Sequence, residues 1–96
     1  MFIILLSYLK PVSEVDRFLQ EHREFLARYY ASGHLLMSGP QEPRNGGVII
    51  AKAESKAAVE KIIQGDPFYR EQIAKYDLIE FRASTTAPAL DELKEI

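Results

Sequence analysis

The sequence contains no cysteine, which excludes disulfides, thiolate nucleophiles and zinc–thiolate sites. That absence is consistent with a reducing cytoplasm, the expected location. Long hydrophobic runs are missing too: the opening apolar stretch Phe2–Leu6 is far shorter than the roughly 20 residues a membrane span needs. No basic segment precedes it, as a secretory signal would require, so it reads as a strand and no membrane partner is expected. Nor does charge of one sign dominate. Twelve Lys and Arg against 14 Asp and Glu give a net charge of −2, with both signs interspersed, which speaks against a nucleic-acid partner. Histidine is scarce. His22 and His34 are the only two, without short ligand spacing, so neither a dedicated metal site nor a cofactor is expected.

What is present is the composition of an ordinary globular protein, with 47% hydrophobic and 27% charged residues in a chain of 96. That length makes one domain, near the lower end of what folds without staples. Phe2–Tyr8 is apolar on both alternating faces, the mark of a central strand covered on both sides, and Pro11 stops it. Ser13 offers an N-cap, with Glu14 and Asp16 placed favourably in the first turn. Projected at about 100° per residue, Val15, Phe18, Leu19, Phe25, Leu26, Tyr29 and Tyr30 form one apolar arc roughly 140° wide. Gly33 is the expected stop.

A second strand is predicted at His34–Ser38, a loop at Gln41–Gly47 and a third strand at Val48–Ala53. Ser55 caps a helix whose inward face is Ala58, Val59, Ile62 and Ile63. Asp66-Pro67 is the cap-plus-N1 signature of a short helical turn. From Tyr76 the alternation is that of a half-exposed edge strand, with Ile79 and Phe81 on one face and Leu78, Glu80 and Arg82 on the other. Residues 1–83 form the domain; 84–96 are a linker with a short helical turn marked by Leu90, Leu93 and Ile96.

This β-α-β-β-α-β order is an α+β, ferredoxin-like arrangement. Right-handed crossovers give a four-stranded antiparallel sheet, order 4-1-3-2, with the helices on one face. The other face is left bare although the central strands are apolar on both. Wet apolar area forgoes roughly 25 cal/mol per Å², so a second copy is expected to cover it and the chain is expected to be a homodimer.

His22 breaks the first helix's apolar arc, lying within about 10° of its midline. An imidazole there must have its nitrogens satisfied or lose about 1–3 kcal/mol per stranded group. It is either a working histidine or a core histidine bonded to a backbone carbonyl, Ser7 or Ser38. Asp66 is placed to cap, and a capping carboxylate keeps a second oxygen free to orient a histidine. Ser38, Gly39 and Pro40 end a strand, where pockets in open sheets often sit. Gly46-Gly47 admits a ligand near backbone amides or serves a hairpin needing positive φ. Arg44 either binds an anionic group or is a solvated arginine. Tyr8, Tyr29 and Tyr30 either line a cavity or are plain core.

Taken together, His22 within Glu21-His22-Arg23-Glu24-Phe25-Leu26, Ser38-Gly39-Pro40, Pro43, Gly46-Gly47 and Asp66-Pro67-Phe68 resemble the pattern of the YciI-like family, over residues 1 to about 82. The resemblance implies a dimeric α+β barrel and an active site built on His22 and Asp66, with Ser38 nearby. One branch of that family removes chloride from a chlorinated hydroxyquinone, and muconolactone isomerases share the barrel. The expected function is therefore acid–base chemistry on a small cyclic or carbonyl compound. His22 would move the proton, Asp66 would orient it, and Ser38, Gly39, Tyr8 and Arg44 would bind substrate. A non-catalytic ligand-binding dimer and a purely structural partner protein are the rival readings.

Overall fold

A computed structural model describes residues 1–95. Ile96, counted in the predicted tail turn, lies outside the described residues. The strands β1 (Phe2–Tyr8), β2 (Leu35–Pro40), β3 (Gly46–Ala51) and β4 (Ala74–Glu80) form one antiparallel sheet in the order β2-β3-β1-β4. Read from the other edge, this is the order the sequence predicts. Between the strands run α1 (Val12–Arg17), α2 (Leu19–Ala31), α3 (Lys56–Ile63) and α4 (Pro67–Arg70).

Register decides which face each strand buries. Phe2, Ile4 and Leu6 of β1 pair with Ala51, Ile49 and Gly47 of β3 and with Glu80, Leu78 and Tyr76 of β4. Paired residues share a face, and this is the face under the helices. The core is Phe2, Ile4, Leu6, Ile49 and Ala51 of the sheet against Val15, Val59, Ile63 and Phe68. In β4 the helix side is therefore the Tyr76 and Leu78 side, and the more apolar Ile79 and Phe81 are 48% and 41% exposed. Alternation alone sees two faces in β4 but not which of them pairs opposite Ile4.

The predicted long helix is two. It begins at Val12, with Pro11 in extended backbone at the cap position and no side-chain cap, so Ser13 lies inside the first turn. At Phe18 the chain leaves helical geometry, with φ −107° and ψ 4°. The break lets Val15 of α1 and His22 and Phe25 of α2 all reach the interior. It also ends the validity of one continuous projection, and Tyr30, counted in the apolar arc, is exposed. Gly33 closes α2 at φ +85°, a conformation that favours glycine.

Strands β2 and β3 pair as far as Pro40 opposite Gly47, leaving a loop of only Gln41–Asn45. Proline is tolerated there because β2 is an edge strand. Neither Gly46 nor Gly47 has positive φ, contrary to the hairpin reading. Gly46 is required for another reason: a Cβ on it would stand 1.7 Å from the Leu6 carbonyl oxygen.

Ser55 caps α3, its Oγ accepting from the Ala58 N–H at 3.1 Å. The tail carries a 3₁₀ helix, Pro88–Leu93, and turns back so that the Glu95 N–H donates to the Ala83 carbonyl. No helix among the described residues is long and apolar enough to cross a membrane.

Candidate active site

Asp66 begins α4, and its backbone sits in the extended region that the following proline enforces. Its Oδ1 accepts from the Phe68 N–H at 3.0 Å, the expected cap. The same oxygen accepts from Nδ1 of His22 on α2 at 2.8 Å. Its Oδ2 accepts from the Tyr76 hydroxyl of β4 at 2.5 Å. Three donors from three elements thus converge on a carboxylate that is 0% exposed, which is how a buried acceptor avoids its desolvation penalty. Burial, followed by the adjacent Asp66 charge, raises the Tyr76 phenol well above its ordinary value. Tyr76 is accordingly a fixed donor.

A carboxylate can only accept, so the hydrogen on His22 lies on Nδ1. Among the described residues no hydrogen bond involves Nε2, and none of their buried side-chain nitrogens or oxygens lacks a partner. Nε2 is therefore open to the space beside it. The ring is held flat by Phe68, which stacks on it at 4.0 Å between centroids and 1° between planes, with Phe25 on its own helix also close by. An Arg70–Glu21 ion pair ties α4 to α2 at the surface beside the pair.

The space is a cavity of about 350 Å³ bordered by His22, Tyr8, Ser38, Gly39, Arg44 and Phe68, among others. Five of the six residues expected to form a site thus border one cavity, and the sixth, Asp66, stands behind His22. The core-histidine alternative bonded to backbone, Ser7 or Ser38 is not what the geometry shows: Ser38 Oγ is instead bonded to the Tyr30 hydroxyl at 2.5 Å. Arg44 is exposed and paired with Asp16 at 2.7 Å, its guanidinium 5.9 Å from the Tyr8 ring centroid; the Asp16 hydrogen bond, then Tyr8, raises its pKa. Tyr29 packs on Phe25 and His34, away from the cavity.

Three residues with a part here were not singled out from the sequence. In the sequence Tyr76 marks only the start of a strand; its position opposite Leu6 is what aims it inward. Phe68 entered only as part of a motif. Arg23, on the cavity wall, falls in the polar arc of the helix. Among the described residues no cluster of His, Asp and Glu is arranged to hold a metal ion.

The profile of the YCII-related domain matches residues 1–82. The chain belongs to that family. No curated protein matches it. Among solved structures, this YCII-related chain resembles the 5-chloro-2-hydroxyhydroquinone dehydrochlorinase of Burkholderia phenoliruptrix AC1100 in complex with 2,5-dihydroxybenzoquinone. The TM-score is 0.71, with 17% identity over 85% of this chain and 94% of that one. At that identity the likeness is one of fold. The matched residues 1–82 contain His22, Asp66, Tyr76 and the cavity.

Proposed function

We propose that this YCII-related protein is a small-molecule enzyme in which His22 transfers a proton to or from a small cyclic or carbonyl compound. The observation that supports it is the asymmetry of the imidazole: Nδ1 is committed to a buried carboxylate at 2.8 Å, while Nε2 has no hydrogen bond among the described residues, beside a cavity sized for one small molecule. A lone pair so presented accepts a proton from a substrate carbon or hydroxyl, and Asp66 stabilises the imidazolium that results. Returning the proton elsewhere gives isomerisation; expelling a leaving group gives elimination. The relative of like fold is named a dehydrochlorinase, and loss of HCl is formally an elimination. Ser38, with Gly39 at the strand end, binds a substrate oxygen, and Tyr8 and Arg44 complete the wall. A positioned base of this sort contributes about 10²–10⁴-fold.

The working unit in this proposal is a homodimer joined through the bare sheet face. That face carries Ile3, Leu5, Val48 and Ile50, half-buried in the single chain, and the exposed Met37 and Ile79. A contiguous apolar surface of this kind marks an interface.

The test is deuterium incorporation from D₂O into a panel of small hydroxylated rings and oxo acids, read by NMR. Wild type is expected to exchange at least one of them, and His22→Asn to bind it without exchange. A ligand bound equally by both and never altered would support the ligand-binding reading instead.

A further inference from the structure

The cavity wall is cationic in a chain that is acidic overall. The sequence has 14 Asp and Glu against 12 Lys and Arg, yet among the described residues no carboxylate borders the cavity. Its charged lining is Arg23 and Arg44, beside His22. The two arginines differ in state. Arg44 is held by Asp16 and rests near the face of Tyr8, so it is oriented and partly neutralised. Arg23 directly follows His22 on α2, is exposed, and makes no ion pair among the described residues. The remaining wall is largely apolar, with Leu6, Leu19, Leu26 and Phe68. A wall of this kind suits a ring, and about 350 Å³ lies at the lower end of small-ligand pockets, room for one ring rather than two.

We propose that the cavity takes a single-ring organic oxyanion, its ring against Leu6, Leu19 and Phe68 and its charge on Arg23, with Arg44 as the second, pre-oriented guanidinium. Guanidinium groups present a planar fork of donors that matches a carboxylate or an ionised ring hydroxyl. Arg23 is the residue that sets the preference, because its charge is not already used in an ion pair among the described residues. The assignment rests on the acid–base reading only for where the reacting atom lies, within reach of His22 Nε2. It also serves that chemistry: proton abstraction adds negative charge to the substrate, and cations at the cavity edge stabilise it as it develops.

Benzoate and benzamide provide the test, since they share a shape and differ in charge. Titrated into the full-length protein and followed by amide NMR, benzoate is expected to bind at least about 10-fold more tightly than benzamide. The shifted signals should be those of α2 and the Ser38–Pro40 strand end. Arg23→Gln, a change on an exposed helix position that leaves the fold intact, is expected to abolish most of that difference while leaving benzamide binding as it was. Added salt should narrow the difference in wild type. Equal binding of the two ligands, a benzoate preference untouched by Arg23→Gln, or no benzoate binding at the cavity would each overturn the proposal. His22→Asn separates the two ideas. An anion preference that survives in His22→Asn together with undiminished proton exchange removes the acid–base reading and leaves the anion site standing. Exchange that depends on His22 without any charge preference does the reverse.

Discussion

The Tyr76 hydroxyl donates to Oδ2 of Asp66 at 2.5 Å, from the strand side of a carboxylate whose other oxygen holds Nδ1 of His22 at 2.8 Å. The two bonds approach the carboxylate from different elements, so it cannot rotate away from the imidazole without breaking one of them. Tyr76→Phe leaves Oδ2 buried with one donor fewer and is expected to lower stability by roughly 1–3 kcal/mol. Chemical denaturation of the two proteins measures this directly.

The same phenol gives a pH prediction. Its folded-state pKa lies far above the ordinary 10.0, so above that pH the unfolded chain releases the proton first. The Tyr76 contribution to stability is complete below the ordinary value and declines as pH rises beyond it. In Tyr76→Phe this part of the alkaline loss of stability is expected to vanish. Denaturation midpoints taken on the alkaline side of neutrality, for wild type and variant, compare the slopes.

Asp66→Asn separates the capping role of this residue from its role toward histidine. Asn caps about as well as Asp, so α4 is expected to survive. The amide has one acceptor oxygen and one NH₂ group where the carboxylate had two acceptors. With the oxygen on Phe68 and His22, the Tyr76 hydroxyl must turn to accept instead of donate, and the charge that holds the imidazole is gone. A stability loss of roughly 1–3 kcal/mol and a loss of proton transfer smaller than that of His22→Asn are expected. Denaturation and deuterium exchange read the two effects separately.

Much of this arrangement is legible in the sequence. Strand order followed from two βαβ-type halves, and His22 stood out because an imidazole at the centre of an apolar arc needs a partner. The family resemblance pairs Asp66 with it; the sequence expects a second, free carboxylate oxygen for that bond, whereas in the structure Oδ1 both caps at Phe68 and holds His22. Tyr76 was not legible. Its role depends on β4 pairing antiparallel to β1 with Tyr76 opposite Leu6, a register that β4's own alternation does not determine. The break at Phe18 was hidden for a related reason: a residue well suited to the apolar face of one helix equally suits the junction of two.

Glycines 46 and 39 make a contrasting pair. A Cβ at 46 would stand 1.7 Å from the Leu6 carbonyl oxygen, whereas one at 39 meets nothing within 4 Å. Gly46→Ala is expected to push β3 away from β1 and to lose at least about 1–3 kcal/mol. Gly39→Ala is expected to fold normally, its Cβ standing in open space on the Leu5 and Val48 side of the sheet. Thermal unfolding of both variants distinguishes them.

The bare sheet face predicts self-association. Ile50→Asp puts a charge at its centre, on a residue paired with Ile3, and is expected to give monomer or aggregate where wild type gives dimer. Sedimentation equilibrium at micromolar concentration reads the difference, and a wild-type monomer there removes the dimer proposal.

The central claim is that a buried carboxylate holds His22 with its free nitrogen toward the cavity. Long-range ¹H–¹⁵N NMR of the His22 ring reads this without knowledge of the substrate. In the neutral ring the proton is expected on Nδ1, with Nε2 unprotonated and its signal moving when a ligand enters the cavity. A neutral ring protonated at Nε2, or an Nε2 signal that no cavity ligand perturbs, would contradict this.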